Sequence, residues 1–241
     1  MKIKDKIWLD REGLTKHGPI NIVIFGDSIS HGAFLYDNDY ENVYWNLLRR
    51  KLNALCNYMP VNMICAAIGG TTAKESVERI EKQVLNHNPD TVIICFGLND
   101  INNPLEDYID ALRTIFTRCL DAGCEVVFMT PNMLNTYVAE DTPPQWANYA
   151  VKTARIQLDG TMDRYMKAAI CLATEMGVTL CDCYSKWKDI SKSHDTTRLL
   201  INRINHPIAE MHQLFADSLY EVLIGKESKK PATDSGMFRS R

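Results

Sequence analysis

The chain has 241 residues, of which 46% are hydrophobic and 24% are charged, and its formal net charge is −3. These values are typical of a globular protein that buries a full core as a single domain. The slightly acidic charge and the absence of a basic stripe exclude the electrostatic signature of nucleic-acid binding. No apolar run approaches the about 20 residues of a membrane span. Residues 1–8 lack the apolar core of a signal peptide, so we expect a cytoplasmic protein.

The first strong element is a strand at residues 22–25, where apolar residues follow one another without interruption. This pattern is typical of a strand buried on both faces of a parallel sheet. Gly26 ends the strand, and Asp27 and Ser28 follow it. A serine on a sharp turn at the carboxyl end of a strand points its hydroxyl group at a ligand, whereas the same residue types also occur as ordinary caps and turn formers.

Two apolar periodicities alternate along the rest of the chain. A spacing of three and four residues predicts helices near 40–55, 73–87, 105–119, 147–175 and 211–223, with a short helix around Trp187. Short apolar runs predict strands at 61–67, 91–96, 125–129 and 178–182. Gly160 leaves open whether 147–175 is one helix or two, and residues 131–146 are predicted to be a long polar loop.

The alternation of strands and helices, without repeats or linkers, predicts a parallel sheet covered on both faces. We therefore expect an α/β fold, a three-layer α/β/α sandwich with a central five-stranded parallel sheet. One domain should span residues 1–225, followed by a disordered Lys/Ser/Pro-rich tail at 226–241. Right-handed crossovers place all strand carboxyl ends at one edge, which collects Ser28, Gly70 and Asn99.

The eight cysteines have no Cys-x-x-Cys spacing and lie mostly within apolar segments. Cys181 and Cys183 have no second Cys or His pair of suitable spacing that would complete a metal site with them. We predict reduced, mostly buried thiols, without a disulfide framework and without a metal.

The side chains expected at the sheet edge have the chemistry that acyl transfer requires, namely a nucleophile, a base and oxyanion donors. Ser28 offers a hydroxyl group, Gly70 a backbone N–H without a neighbouring Cβ, and Asn99 an uncharged amide. His206, which is followed by Pro207 and precedes the last predicted helix, is the candidate base.

The four blocks Gly-Asp-Ser, Gly-Gly-Thr-Thr, Gly-Leu-Asn-Asp and Asn-His-Pro resemble those of the SGNH/GDSL hydrolase family of esterases and lipases. The resemblance covers residues 20–224 by order of elements and implies the flavodoxin-like SGNH hydrolase fold. It implies Ser28 as nucleophile and His206 as base. It also implies an oxyanion hole made by the N–H groups of Ser28 and Gly70 and the side chain of Asn99, with no metal or organic cofactor.

One position departs from the family, which usually has an aspartate three residues before the histidine to fix its tautomer. Arg203 occupies that position here and cannot accept a hydrogen bond. The candidates for orienting His206 are a backbone carbonyl within 201–204, the side-chain oxygen of Asn202, and Asp195. We expect a Ser28–His206 dyad with a neutral orienting group and slower turnover.

Other polar residues near these blocks have ordinary explanations. Asp27 and Asp100 are expected to support their strand-end turns by accepting hydrogen bonds from local N–H groups. His31 and His212 are candidates for the pocket wall, although surface or satisfied core histidines are more common. Arg203 either meets an acidic substrate group or pairs with a surface carboxylate.

The hypothesis is therefore a serine esterase that hydrolyses short-chain acyl esters, acetyl esters above all. Within the family, the Gly-Asp-Ser-Ile-Ser-His-Gly and Ile-Asn-His-Pro blocks most resemble those of carbohydrate deacetylases, so small-molecule or carbohydrate esters are the expected substrates. One alternative is an acyl-CoA thioesterase or lysophospholipase with an apolar trough formed by 131–146. Another is a binding module that has lost catalysis, for which Arg203 is the best argument. A nucleotide-binding domain is disfavoured because no Gly-x-Gly-x-x-Gly follows the first strand.

Overall fold

The computed structural model describes residues 1–225, and the tail predicted to be disordered at 226–241 lies outside them. Five strands, β1 (Ile20–Gly26), β2 (Val61–Cys65), β3 (Thr91–Cys95), β4 (Glu125–Met129) and β5 (Thr179–Cys181), form one sheet in the order β2-β1-β3-β4-β5. Every neighbouring pair is parallel. The predicted α/β fold with a central five-stranded parallel sheet is confirmed.

Helices connect the strands and cover the sheet. They are α1 (Ile3–Lys6), α2 (Arg11–His17), α3 (Ser28–His31), α4 (Tyr44–Leu55), α5 (Ala73–Ser76), α6 (Ile80–Gln83), α7 (Leu105–Asp121), α8 (Ala147–Leu158), α9 (Thr161–Glu175), α10 (Cys183–Ile190) and α11 (Ala209–Ile224). α11 packs against α1, α4 and α10, whereas α7 packs against α5 and α9, and α9 against α8. These two groups form the outer layers of the sandwich. Within residues 1–225, no helix is long and apolar enough to cross a membrane.

The strand order places a topological switch point between β1 and β3, because the chain leaves β1 toward β2 on one side and returns to β3 on the other. Ligands of doubly wound sheets bind at such a crevice, outside the carboxyl ends of the strands. All five residues of β3 are buried, and the rings of Phe25 and Phe96 pack edge to face with centroids 5.4 Å apart. The switch point therefore has a rigid, apolar base.

Two of the predicted helices differ from those observed. α4 begins at Tyr44 and not at Tyr40, because the Asp39 side chain accepts hydrogen bonds from the N–H groups of Glu41 and Asn42 and holds a turn there. Residues 73–87 do not form one helix. They form α5, α6 and two 3₁₀ turns, and the Ser76 hydroxyl donates back to the Thr72 carbonyl, an interaction that bends helices.

Gly160 separates two helices, α8 and α9, which resolves the alternative that the sequence left open. Its φ is +78°, a left-handed conformation that glycine adopts without steric cost.

The predicted polar loop 131–146 is buried over its first five residues, 131–135, and is partly exposed beyond them. Asn132 and Asn135 are fully buried and donate hydrogen bonds to backbone carbonyls, among them those of Asn205 and Ala150. The N–H groups of these asparagine side chains thus satisfy buried backbone carbonyl groups, as backbone N–H groups do within a sheet.

All eight cysteines are free, and five of them are buried, in agreement with the predicted thiols. The Sγ atoms of Cys181 and Cys183 lie 3.7 Å apart where β5 passes into α10. Among residues 1–225, no three His, Cys, Asp or Glu side chains are grouped so that they could hold a metal ion.

Candidate active site

Ser28 lies at the first position of the four-residue helix α3, directly beyond β1. The turn before it is tight, since a Cβ atom at Gly26 would lie 2.6 Å from the carbonyl oxygen of Cys95. The Asp27 side chain caps α3 by accepting a 3.1 Å hydrogen bond from the N–H of Ile29. Strand, glycine and cap together present the Ser28 hydroxyl group at the switch point.

His206 reaches Ser28 from the other end of the chain. Its Nε2 lies 3.1 Å from Ser28 Oγ, and its Nδ1 lies 2.8 Å from the carbonyl oxygen of Phe34. A carbonyl oxygen can only accept, so Nδ1 carries the proton and Nε2 is free to accept the Ser28 hydroxyl proton. The structure thus holds the tautomer that a general base requires.

Burial keeps the imidazole neutral. Desolvation lowers the pKa of His206 below its usual value, and the hydrogen bond to Phe34 opposes this shift only in part. No carboxylate contributes to the shift, so the histidine is a weak but unprotonated base at neutral pH.

The loop that carries His206 is held by one asparagine side chain. Asn202 Oδ1 accepts hydrogen bonds from the N–H groups of Ile204, Asn205 and His206, at distances of 2.9 to 3.0 Å. The loop is closed by a second link, from the N–H of Ile201 to the His206 carbonyl at 2.7 Å. This compact turn sets the position of the imidazole.

The orienting group of His206 is therefore none of the predicted candidates. Asn202 holds the backbone of the loop, and Asp195 accepts from the Tyr137 hydroxyl group and caps the turn at Thr197. The acceptor is the carbonyl of Phe34, 172 residues away in sequence. Sequence reasoning missed Phe34 because any residue offers a carbonyl oxygen, and only the closed fold brings this one to the imidazole.

Arg203 turns away from the imidazole and forms a surface ion pair. Its Nε and Nη2 atoms contact the Asp141 carboxylate at 2.8 to 3.0 Å, and its Nη1 donates to the Leu200 carbonyl at 2.7 Å. Its φ of +61° is in the left-handed region. Of the two interpretations of Arg203, the structure thus has the pairing with a nearby carboxylate.

The predicted oxyanion donors lie around the same pocket as Ser28. Gly70 and Asn99 line it together with Ser28 and His206. Gly70 has a φ of +79°, which a residue with a Cβ atom rarely adopts. One N–H of the Asn99 amide donates to the Thr71 carbonyl at 3.0 Å, and the amide has a second N–H to offer a ligand.

Asp27 and Asp100 are buried next to this edge, and only Asp27 has its side-chain hydrogen bond within its own turn, whereas Asp100 bonds to the start of α5. Asp100 Oδ1 accepts from the N–H of Ala73 at 2.8 Å. Each carboxyl group also has one buried oxygen without a hydrogen-bond partner within residues 1–225. Burial raises the pKa of Asp27 to about 7 and that of Asp100 to about 6, and the charge of Asp100 adds to the shift of Asp27.

The two other histidines lie in different surroundings. His31 Nδ1 accepts a 3.2 Å hydrogen bond from the N–H of Gly69, so it braces the loop that carries Gly70. His212 is fully buried in the core between aromatic rings and does not line the pocket. Burial lowers the pKa of His212 to about 3, which keeps it neutral.

The pocket has a volume of about 530 Å³. Ser28, Gly70, Asn99 and His206 line its polar part, which we call the floor. Residues 33–38, Trp146 and Tyr149 also line it. The rings of Tyr36 and Trp146 contact each other with centroids 5.9 Å apart, and Tyr36 is 71% exposed, so we call this aromatic pair the mouth of the pocket. No local pattern marks these aromatic residues as part of a site, although Phe34 and Tyr36 follow the Gly-Asp-Ser block closely.

Comparison with known proteins agrees with this architecture. The GDSL-like lipase/acylhydrolase family model matches residues 24–214, and the chain therefore belongs to this family of hydrolases. The prediction of a carboxylic ester hydrolase is thus confirmed at the level of the family. A comparison with curated proteins finds no match.

Solved structures share the fold. The acetylxylan esterase Axe2 from Geobacillus stearothermophilus has a TM-score of 0.67 and 21% identity, covering 86% of this chain and 95% of that enzyme. The acetyl xylan esterase AlAXEase has a TM-score of 0.66 and 21% identity, covering 85% of this chain and 100% of that enzyme.

Proposed function

We propose that this protein is a serine esterase that removes short acyl groups, acetyl groups above all, from carbohydrate esters. The observation that carries the proposal is the continuous line from Ser28 Oγ through His206 to the Phe34 carbonyl, with contacts of 3.1 and 2.8 Å. A pocket with a nucleophile, a base in the required tautomer and uncharged donors on its floor fits acyl transfer.

The reaction would proceed in two steps. Ser28 Oγ bonds to the ester carbonyl carbon while its proton moves to His206 Nε2, and the oxyanion forms beside Gly70 and Asn99. The C–O bond to the alcohol breaks as Nε2 returns the proton to the leaving oxygen. Water then gives a proton to Nε2 as its oxygen attacks the acyl-Ser28 carbonyl carbon. The C–Oγ bond breaks as Nε2 returns the proton to Ser28 Oγ, which releases the acid and regenerates both residues.

A neutral carbonyl in place of a carboxylate makes this base weaker without disabling it. The Phe34 carbonyl fixes the tautomer, but only its dipole stabilises the imidazolium that forms during the transfer. In a serine protease, an aspartate-to-asparagine change that produces the wrong tautomer costs about 10⁴-fold in rate. Since the tautomer is correct here, we expect a smaller loss relative to a triad.

The pocket mouth favours a ring-shaped alcohol component. The faces of Tyr36 and Trp146 offer apolar surface of the kind on which the C–H groups of a sugar ring can pack. Axe2 and AlAXEase, which share the fold, are esterases named for acetylated xylan. Catalytic variants of Axe2 replace a serine, a histidine and an aspartate, and we infer that the first two correspond to Ser28 and His206 here.

The test is hydrolysis of p-nitrophenyl acetate, butyrate and octanoate by the wild type and by Ser28→Ala. We expect acetate to be the best of the three and Ser28→Ala to lose activity by at least about 10³-fold, as for other serine nucleophiles. A maximum at octanoate would favour a lipid or thioester hydrolase. Equal activity of the wild type and Ser28→Ala would favour a binding module without catalysis.

The carbohydrate component has its own test. Trp146→Ala should lower kcat/KM for an acetylated xylooligosaccharide more than for p-nitrophenyl acetate. Tyr58→Ala is the matched control, because Tyr58 is also an exposed aromatic residue but does not line the pocket. An equal loss on both substrates would count against sugar stacking at the mouth.

A further inference from the structure

His212 is a fully buried residue with one hydrogen bond and one open ring nitrogen. Its Nδ1 accepts from the N–H of Tyr44 at 3.3 Å, so the ring proton of the neutral imidazole lies on Nε2. Within residues 1–225, Nε2 has no hydrogen-bond partner. Burying an N–H group without a hydrogen-bond partner costs free energy, so a role for the imidazole is expected at this position.

The ring of His212 stacks on the ring of Phe34. The two centroids are 5.2 Å apart and the planes are inclined by 26°, a geometry typical of offset aromatic pairs. Phe34 is the residue whose carbonyl accepts the proton of His206 Nδ1. This aromatic pair therefore connects the core to the residue whose carbonyl orients the base.

The imidazole also contacts an aromatic residue that is bonded to the helix of the nucleophile. The rings of His212 and Tyr44 are nearly parallel, with centroids 6.2 Å apart, and the Tyr44 hydroxyl group lies 2.8 Å from Ser30 Oγ in the helix that begins with Ser28. The segment that leads to Phe34 is also tied to the nucleophile, because the N–H of Ala33 donates to the Ser28 carbonyl at 2.9 Å. His212 thus contacts Phe34 directly and the helix of Ser28 through Tyr44.

We propose that His212 is a positioning residue that acts through the Phe34 ring and holds the Phe34 carbonyl against His206 Nδ1. The inference rests on the proposed function. It assigns to a buried core residue, six positions beyond His206 in sequence, part of the role that a carboxylate has elsewhere in the family. Residues 33–38 also form a wall of the pocket, so the orienting group and the substrate wall are one segment.

Two substitutions separate the two contacts of the imidazole. His212→Asn keeps an acceptor near the position of Nδ1, so it preserves the hydrogen bond from Tyr44, but it removes the part of the ring that stacks on Phe34. His212→Phe keeps a stacking ring and loses the acceptor. A merely structural role of His212 would make the two variants differ in stability alone.

We expect His212→Asn to lower kcat by about 10- to 100-fold, the range that misplacement of a catalytic group produces. His212→Phe should retain more of kcat than His212→Asn, even where it is the less stable of the two. KM should change less than kcat in both variants, because His212 does not line the pocket itself and acts on it through Phe34.

The second readout is the tautomer of His206, measured from long-range ¹H–¹⁵N correlations of the imidazoles and assigned by their loss in His206→Gln. The wild type should show His206 protonated on Nδ1 and His212 protonated on Nε2. In His212→Asn, the Nδ1-protonated form of His206 should lose population, and in His212→Phe it should persist.

An unchanged His206 tautomer and kcat in folded His212→Asn would overturn the proposal. An equal fall in kcat and in the population of Nδ1-protonated His206 in both variants would also overturn it, since a stacked ring at position 212 would then not be enough to hold the Phe34 carbonyl. A greater loss in His212→Phe than in His212→Asn would overturn it as well, since the acceptor and not the stacked ring would then be decisive. If His212→Asn does not fold, Phe34→Leu, which keeps the carbonyl and removes the ring, must give the same tautomer change. The tautomer does not depend on turnover, so failure of the esterase proposal is recognised separately by activity in Ser28→Ala.

Discussion

The two halves of the dyad are positioned in different ways. Ser28 is held by its own neighbourhood, namely a buried strand, a glycine without room for a Cβ atom and a cap from the preceding residue. His206 is held by a loop that makes its decisive contacts over long distances, with Phe34 and, through the Asn205 carbonyl, with Asn132. The position of Ser28 is therefore set at the end of one strand, whereas the position of His206 depends on contacts between segments that are far apart in sequence.

Because of this difference, a substitution should displace His206 more easily than Ser28. A change near Ser28 must disturb a β-strand with full hydrogen bonding before it moves the hydroxyl group. A change near His206 need only remove one side-chain oxygen that serves several backbone donors. We expect the base to be lost at a lower energetic cost than the nucleophile.

The largest effect should come from Asn202→Ala. This change leaves three N–H groups of the His206 loop without their acceptor, and each lost buried hydrogen bond costs about 1 kcal/mol or more. We expect a loss of about 3 kcal/mol in the free energy of unfolding, measured with urea, and a fall in kcat of at least about 100-fold from misplacement of the imidazole.

Asn202→Asp is the matched control, because it keeps the accepting oxygen while it loses the donation to Asn205 and adds a carboxyl group at this buried position. It should retain most of the stability that Asn202→Ala loses. If both variants are equally unstable, the three accepted hydrogen bonds do not hold the loop.

A smaller effect on kcat than that of Asn202→Ala, together with a pH-dependent effect on stability, should come from Asp27→Asn on the side of the nucleophile. The pKa of Asp27 is raised to about 7 in the folded protein, so between about pH 4 and 7 the folded state binds a proton that the unfolded state has lost. This contribution to wild-type stability is fully present below the unfolded pKa and is lost as the pH rises toward 7. The asparagine does not titrate, so the free energy of unfolding of the variant should gain on that of the wild type as the pH rises over that range, by about 1.4 kcal/mol per pH unit at most.

Urea titrations of both proteins at several pH values measure this difference. Asp100→Asn should show the same sign over a narrower range, because the pKa of Asp100 is raised only to about 6. A stability difference that stays flat from pH 4 to 7 would mean that Asp27 is ionised throughout that range in the fold.

The smallest effect should come from Asp141→Asn, which removes the surface partner of Arg203. Exposed ion pairs contribute little, and Arg203 keeps its donation to the Leu200 carbonyl. We expect kcat and the urea midpoint to stay close to those of the wild type. A loss of kcat comparable to that of Asn202→Ala would mean that the ion pair, and not the asparagine, fixes the base loop.

The sequence predicted the parts of the site that local patterns encode. Unbroken apolar runs fixed the strands, and the residues after them gave Ser28, Gly70 and Asn99 at one edge, while Asn-His-Pro gave His206. The orienting group was not predictable, because a backbone carbonyl has no residue type and Phe34 carries no signal for this role. The single helix predicted at 73–87 is wrong because the Ser76 hydroxyl group bonds back to the Thr72 carbonyl. The polar composition of 131–146 gave no sign that its first residues, among them Asn132 and Asn135, are buried.

The pocket wall at 33–38 limits the range of substrates that the protein can accommodate, because this segment is tied to His206 through the Phe34 carbonyl. The loop that carries His206 is tied in turn to the segment 134–136. The N–H groups of Leu134, Asn135 and Thr136 donate to Gln157, to the Ile204 carbonyl and to Thr197. These amides should exchange with solvent as slowly as strand amides and open together with the loop that carries His206. The wall at 33–38 cannot move aside for a bulkier substrate without displacing the Phe34 carbonyl, so breadth of specificity and rate are opposed in this protein.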